Sequence, residues 1–364
     1  MGKRIIIAGG GTGGHIFPAI AIANALKKLQ PDLEILFVGA KGKMEMQKVP
    51  EAGYQIRGID IAGFNRSSLI KNIGLPFKLI KSYFQVKDIM GRFMPDVVVG
   101  VGGYSSFPVL RYAQAKTIPS FIHESNSYAG KSNIMLGKKA TRIFVAHEGM
   151  EKFFPAGRIT LTGNPVRSNI VDQSIGREAA LKSFGLDPGK KTVFVTGGSL
   201  GARGINEAVL AGLDEFEKSG IQLIWQTGSA FGQVAKQACV SKQNIWTGEF
   251  IARMDIAFAA ADVVVSRSGA MAIAELSVVG KPVIFVPFPF AAEDHQTANA
   301  KNLVSHNAAI LVTDQQAKDK LVSTAIQLAH DQGKQGELIS NIRKMAVTNA
   351  DEVIAREILK QIND

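Results

Sequence analysis

Short blocks of consecutive apolar residues recur along the chain, each ending in a glycine-rich turn: Lys3 to Ala8 runs into Gly9, and Lys191 to Thr196 into Gly197. Unbroken blocks of this length belong to strands covered on both faces, since a half-exposed strand alternates apolar and polar positions. After the first turn the spacing becomes helical, from Pro18 to Leu29. Strand, turn, helix and strand again is the order of βαβ units, which predicts an α/β protein with parallel sheets and helices on both faces. A second pair of segments repeats the device. Asp96-Val-Val-Val-Gly-Val-Gly-Gly and Asp262-Val-Val-Val-Ser-Arg-Ser-Gly each lead a valine strand from an aspartate into a turn of small residues. Each half of the chain therefore reads as its own Rossmann-like domain. Unequal spacing between the matched segments excludes a tandem repeat of fixed period.

The junction is placed at the turn Gly163-Asn164-Pro165-Val166-Arg167, after a short apolar strand from Ile159 and before a new helix at Arg177. The expected division is 1–166, 167–340, and terminal helices in 341–364 that can pack back on the first domain. Helices are predicted over Gly336 to Val347 and Asp351 to Ile362. At 364 residues the chain exceeds what one core normally organises. Two such domains are expected to face a cleft, with ligands at the carboxyl ends of the strands.

Composition narrows the class. Apolar residues make up 46% and charged residues 20%, which suits a globular protein and not a disordered one. The most apolar runs, such as Arg4 to Ala8 and Asp262 to Val265, are strand-sized and far short of the roughly 20 residues of a membrane span. The first strand begins almost at Met1 and leaves no space for a secretion signal, so a cytoplasmic, at most peripheral, location is expected. Cys239 is the single cysteine and excludes an intrachain disulfide; it reads as core packing. A formal net charge of +11 favours an anionic partner, whether nucleotide, nucleic acid or lipid.

Candidate chemistry sits at the turns. Gly9-Gly-Gly-Thr-Gly-Gly-His15 lies between a strand and a helix, where backbone N–H groups can face an anion, although such loops also occur as plain tight turns. The loop lacks the Gly-Lys-Ser/Thr ending of a P-loop and carries an imidazole that a dehydrogenase fingerprint does not require. His15 is a candidate base or, alternatively, a cap of the helix start. Gly197-Gly-Ser199-Leu-Gly-Ala-Arg203 repeats the design in the second half, with a hydroxyl and a cation. Ser266-Arg-Ser-Gly-Ala270-Met271-Ala272-Ile273-Ala274-Glu275 places a carboxylate about a turn and a half into a helix, where it can take two ribose hydroxyls or face solvent. His123-Glu124-Ser-Asn126, past a strand over Pro119 to Ile122, and the segment Pro287 to Gln296, past a strand over Pro282 to Val286, are polar clusters at strand ends. None has metal-ligand spacing, so no metal and no cofactor is expected.

From Phe64 to Met94 apolar residues, among them Phe77, alternate with cations such as Lys71, Lys78 and Lys81, and Asp88 is the only acidic residue. That pattern suits docking to an anionic membrane surface, or a core helix with a solvated basic face. No nucleic-acid module signature appears, so nucleic acid is not the expected partner.

Taken together, the motifs resemble glycosyltransferase family 28 over nearly the whole chain. They are Gly-Gly-Thr-Gly-Gly-His at 10–15, Gly-Gly-Tyr at 102–104, His-Glu-x-Asn at 123–126, Gly-Asn-Pro-Val-Arg at 163–167, Gly-Gly-Ser-x-Gly-Ala-Arg at 197–203, Arg-Ser-Gly-Ala at 267–270 and Val-Pro-Phe at 286–288. The turn Ser105-Ser-Phe-Pro108 is less glycine-rich than in some members, and Ala291-Ala-Glu replaces a shorter, more basic stretch before Gln296. The resemblance implies a GT-B fold of two Rossmann-like domains, the second holding the donor and the first the acceptor and membrane.

The activity implied is inverting transfer of N-acetylglucosamine (GlcNAc) from UDP-GlcNAc to the C4 hydroxyl of undecaprenyl-pyrophosphoryl-MurNAc-pentapeptide, the lipid I to lipid II step. This serves peptidoglycan synthesis, and through it cell shape and division, at the cytoplasmic face of the inner membrane. By the same resemblance Thr12, Gly13 and Gly14 would line the sugar-diphosphate, and Asn126 and Gln296 would meet GlcNAc. Arg167 and Ser199 would stabilise the diphosphate, Ile251 would lie beside uracil, and Ala270 to Glu275 would cradle ribose and sugar. Tyr104 and Glu124, with Lys71, Phe77, Lys78 and Lys81, would face acceptor or membrane, and His15 would be the base. A UDP-GlcNAc 2-epimerase, a diacylglycerol sugar transferase and a non-catalytic binding protein are the alternatives such a fold leaves open.

Overall fold

The computed structural model describes residues 2–63, 75–172, 174–291 and 294–363. Lys71, and the apolar residues Phe64, Leu69, Ile70 and Ile73 of the basic stretch, lie outside the described residues.

The first sheet contains β1 (Arg4–Ala8), β2 (Glu34–Ala40), β3 (Gln55–Ile59), β4 (Val97–Gly100), β5 (Ser120–Glu124), β6 (Arg142–Val145) and β7 (Ile159–Leu161). Its strands are parallel throughout, in the order β3-β2-β1-β4-β5-β6-β7. Ile5 and Ile7 enter a core with Phe37, Val99 and Phe121 on one face, while Ile6 and Ala8 enter another with Val38, Val98 and Ile122. Both pleat faces are apolar because both are covered, which is why the strands read as continuous blocks.

Helix α1 (Gly13–Leu29) covers the Ile5 face through Ile16, Ile22 and Leu26. It starts five residues before the Pro18 start expected from the periodicity, because two glycines and His15 form its first turn and glycine carries no apolar signal. Helix α3 (Leu75–Phe93) covers the opposite face through Val86 and Met90, and α2 (Glu45–Glu51) lies between β2 and β3 in sequence.

The second sheet repeats the plan with β8 (Thr192–Thr196), β9 (Gln222–Gln226), β10 (Ile245–Gly248), β11 (Val263–Ser266), β12 (Val283–Phe285) and β13 (Ile310–Leu311), ordered β10-β9-β8-β11-β12-β13. The second order is the 3-2-1-4-5-6 of a doubly wound sheet and the first extends it by a seventh strand; the switch point lies between the first strand and the fourth. In the first sheet this is the β1/β4 pair, and in the second β8/β11.

The chain divides into two compact units, Met1–Arg167 with Asn349–Asp364, and Ser168–Thr348. The return to the first unit thus comes at Asn349 and not at 341. Helix Gln332–Arg343 stays with the second unit, where Leu338 is buried in the core with Leu321 and Leu328. Helix Ala350–Asn363 packs on α1, burying Ile354, Ala355 and Ile358 beside Ile22 and Leu26. Each buried isoleucine contributes about 1.5–3 kcal/mol. No helix among the described residues is long and apolar enough to cross a membrane.

Candidate active site

In the first unit the polar residues gather at the carboxyl ends of β1, β4 and β5. Thr12 is the N-cap residue of α1 in extended conformation, with no side-chain cap, and Gly13 and Gly14 begin the helix. The first-turn N–H groups lack intrahelical carbonyls and carry the positive end of the helix dipole.

His15 stands in that first turn, partly exposed, with Nδ1 2.9 Å from the carbonyl oxygen of Val101. A carbonyl only accepts, so Nδ1 carries the hydrogen and Nε2 keeps its lone pair. Helix capping by the ring, the other reading of this residue, is therefore not what the ring does. Burial lowers the His15 pKa from its ordinary value, opposed by the Glu124 carboxylate, the bond to Val101 and the Glu45 carboxylate. Gly102 makes the contact sterically possible, because a Cβ there would lie 2.6 Å from the imidazole Nδ1.

His123 and Glu124 lie inside β5, not past its end as the sequence suggested, and both are buried. Glu124 accepts from Asn126 N at 3.1 Å, Asn126 Nδ2 at 3.2 Å, Gly130 N at 3.0 Å and Asn133 Nδ2 at 2.9 Å. Four donors occupy this carboxylate, which makes it an organiser of the Asn126 loop, and Asn126 is held in turn with its amide on Glu124. Burial holds His123 down at about 4, and its Nε2 has no hydrogen-bond partner. Tyr104 is exposed, with its ring against Gly63. The Arg167 guanidinium lies over the Phe17 ring, 4.4 Å from its centroid.

Helix α3 buries Ser82, Val86 and Met90 but leaves Phe77 75%, Ile80 59% and Phe84 62% exposed. Spacings of three and four residues put those three on one outward face, beside the exposed Lys78. Lys81 reaches back to Asp60 at 3.0 Å, an exposed pair of small energetic weight.

In the second unit the helices Arg203–Ala211, after β8, and Ala270–Val279, after β11, begin without side-chain caps. Ser199 is partly exposed in the turn before the first. Arg203 is bonded to Glu207 at 2.6 Å on the exposed helix surface. Gln226, buried at the end of β9, was invisible to motif reading. Its Oε1 accepts from Ile251 N at 2.8 Å, and its Nε2 donates to Thr196 Oγ1 at 3.0 Å and Gly198 O at 3.1 Å. One carboxamide thus ties the buried Ile251 to the glycine-rich turn.

After β11, Arg267 donates to the carbonyls of Val286 and Pro287 at 3.0 and 2.9 Å and pairs with Asp314 at 2.6 Å. It holds the loop that follows β12. Ser268 Oγ donates to Gln296 O at 2.8 Å, and Gln296 Oε1 accepts from Phe288 N at 3.0 Å. Met271, Ala272, Ile273 and Ala274 are partly exposed on the helix between the nearly buried Ala270 and the buried Glu275. Ser268, two residues before Ala270, is thus bonded to Gln296, and Gln226 joins Ile251 to Gly198, the residue before Ser199. Among the described residues no group of three His, Cys, Asp or Glu side chains is arranged to hold a metal ion.

Models of the glycosyltransferase family 28 N-terminal and C-terminal domains match residues 5–145 and 192–356. A Bacteroides fragilis protein named UDP-N-acetylglucosamine--N-acetylmuramyl-(pentapeptide) pyrophosphoryl-undecaprenol N-acetylglucosamine transferase is 50% identical over 98% of this chain and 95% of its own length. A Cytophaga hutchinsonii protein of the same name is 51% identical over 99% of this chain and 97% of its own. The crystal structure of Acinetobacter baumannii MurG superposes with a TM-score of 0.73 at 28% identity, covering 98% of this chain and 99% of that one. A Neisseria meningitidis UDP-GlcNAc 2-epimerase bound to UDP-GlcNAc reaches 0.71 at 15% identity over 99% and 100%, a likeness of fold alone. With both domain models matched in order and half the residues shared with full-length relatives, the chain belongs to glycosyltransferase family 28.

Proposed function

We propose that this chain transfers GlcNAc from UDP-GlcNAc to the C4 hydroxyl of undecaprenyl-pyrophosphoryl-MurNAc-pentapeptide. Full-length relatives at about half identity carry that activity in their names. The observation that carries the chemistry is the fixed tautomer of His15, whose Nδ1–H points to Val101 O and leaves Nε2 able to accept a proton.

The acceptor oxygen attacks the anomeric carbon as its proton passes to Nε2. The bond from that carbon to the diphosphate oxygen breaks, and UDP leaves with the electron pair. One displacement inverts the α-linked donor to a β product. Negative charge grows on the diphosphate, which the uncapped helix N-termini, Ser199 and Arg167 are suited to stabilise, so that a divalent ion is not required. Glu275 takes the ribose hydroxyls, Ile251 lies beside uracil, and Gln296 and Asn126 meet the sugar. The outward face of α3, with Phe77, Ile80 and Phe84 beside Lys78, supports docking to the anionic cytoplasmic surface of the inner membrane.

The test is transfer of labelled GlcNAc to the purified lipid-linked acceptor, with EDTA present and with His15→Ala. Transfer that resists EDTA and falls about 100-fold or more in the variant is expected from removal of a general base. UDP-GlcNAc binding without transfer would redirect the reading to an epimerase or a binding protein.

A further inference from the structure

Glu45 belongs to none of the motifs above, yet its side chain is built into the glycine-rich loop. It is 1% exposed in the first turn of α2. Its Oε2 accepts from Gly11 N at 2.8 Å and its Oε1 from Ala40 N at 2.9 Å, joining the loop after β1 to the end of β2. Among the described residues no lysine or arginine forms an ion pair with it. A buried carboxylate without a cation is costly, and is retained only where its hydrogen bonds hold something in place.

What it holds is unusual backbone. Gly10 and Gly11 have φ of +151° and +90°. A Cβ on Gly10 would lie 2.3 Å from the Glu45 carboxylate, so the loop and the carboxylate are fitted to each other. This loop leads into Thr12 and the first turn of α1, where His15 stands.

We infer that Glu45 is a positioning residue for the transfer reaction: its carboxylate, bridging Gly11 N–H and Ala40 N–H, sets the loop that aims the α1 N-terminus and His15. The inference rests on His15 as the base. Its charge has a second consequence, since the imidazolium formed when His15 takes the acceptor proton faces Glu124 and His123 from β5 and Glu45 from α2. Removing one of the two negative charges lowers the His15 pKa, which moves the rising limb of the rate profile to lower pH.

The experiment measures kcat and KM for UDP-GlcNAc from about pH 5.5 to about 9 in wild type, Glu45→Gln and Glu45→Asp. Glu45→Gln keeps the volume but turns an amide N–H₂ toward one of the two backbone donors. Its kcat is expected to drop about 10- to 100-fold, as for a misplaced catalytic group, with KM for UDP-GlcNAc within about threefold and the rising limb at lower pH. Glu45→Asp keeps the charge and shortens the reach, so its kcat falls while the limb stays.

A residue that only stabilises the fold would lower the melting temperature of both variants and leave both limbs at the wild-type pH, which would overturn the inference. So would a kcat within about twofold of wild type in Glu45→Gln, or in Glu45→Asp should the glutamine variant fail to fold. His15→Ala measured alongside separates the two ideas. Transfer surviving there removes His15 as base, whereas transfer lost there with full kcat in Glu45→Gln removes Glu45 alone.

Discussion

The imidazoles of His15 and His123 differ because of what surrounds each nitrogen. His15 has its pKa lowered by burial, with the carbonyl on Nδ1 and two carboxylates acting on the ring opposing that only in part. His123 is fully enclosed, and burial lowers its pKa to about 4. The native state therefore binds the His123 proton more weakly than the unfolded chain, whose histidine has the ordinary value of 6.5. Stability should be complete above about pH 6.5 and decline as the pH falls toward about 4, by about 3 kcal/mol if this group acts alone. Urea midpoints in that window should fall less steeply in His123→Gln, and equal slopes would count against the assignment.

Candidate residues could be named from sequence wherever a motif carried them, as for His15, Asn126 and Glu275. Glu45 and Gln226 could not, because both act on backbone groups that are close only after folding. Gln226 makes this measurable. Gln226→Leu removes the acceptor of Ile251 N–H and both bonds to the glycine-rich turn. About 1–3 kcal/mol is at stake, so KM for UDP-GlcNAc should rise roughly tenfold or more while kcat changes less. Unchanged KM would mean that the turn keeps its shape without the carboxamide.

Among the elements, strands were easier to read than helix starts. Continuous apolar blocks mark doubly covered strands directly, and Arg4–Ala8 and Thr192–Thr196 follow the expected positions to within a residue. The start of α1 was missed because its first turn is glycine and histidine, chosen for backbone access and not for helix propensity. Helix α3 buries Val86 and Met90 on one face and leaves Phe77, Ile80 and Phe84 outward. Replacing Phe77 and Phe84 by serine removes apolar contact without touching the buried face. Flotation with anionic vesicles should decrease several-fold, while transfer to a water-soluble short-chain acceptor should persist. Vesicle binding equal to wild type would place the docking surface elsewhere.

For the whole molecule, the sheet order repeated in both units was implicit in the paired valine strands, but the path of the C-terminus was not. Periodicity identifies a helix and its apolar face without saying which core receives it. Leu338 enters the second unit's core and Ile358 the first's. Ile358→Ala should therefore destabilise the first unit by about 2–5 kcal/mol, read as an earlier thermal transition, with UDP affinity unchanged. Weakened UDP binding at temperatures where the protein is folded would contradict that separation.

The most direct measurement of the central claim is the pH dependence of GlcNAc transfer from UDP-GlcNAc to lipid-linked MurNAc-pentapeptide by the wild type and His15→Ala. A rising limb set by one deprotonation, with a rate loss of about 100-fold or more in the variant, is what an Nε2 base requires. Transfer by His15→Ala at the wild-type rate and with the same limb would show that the proton goes elsewhere.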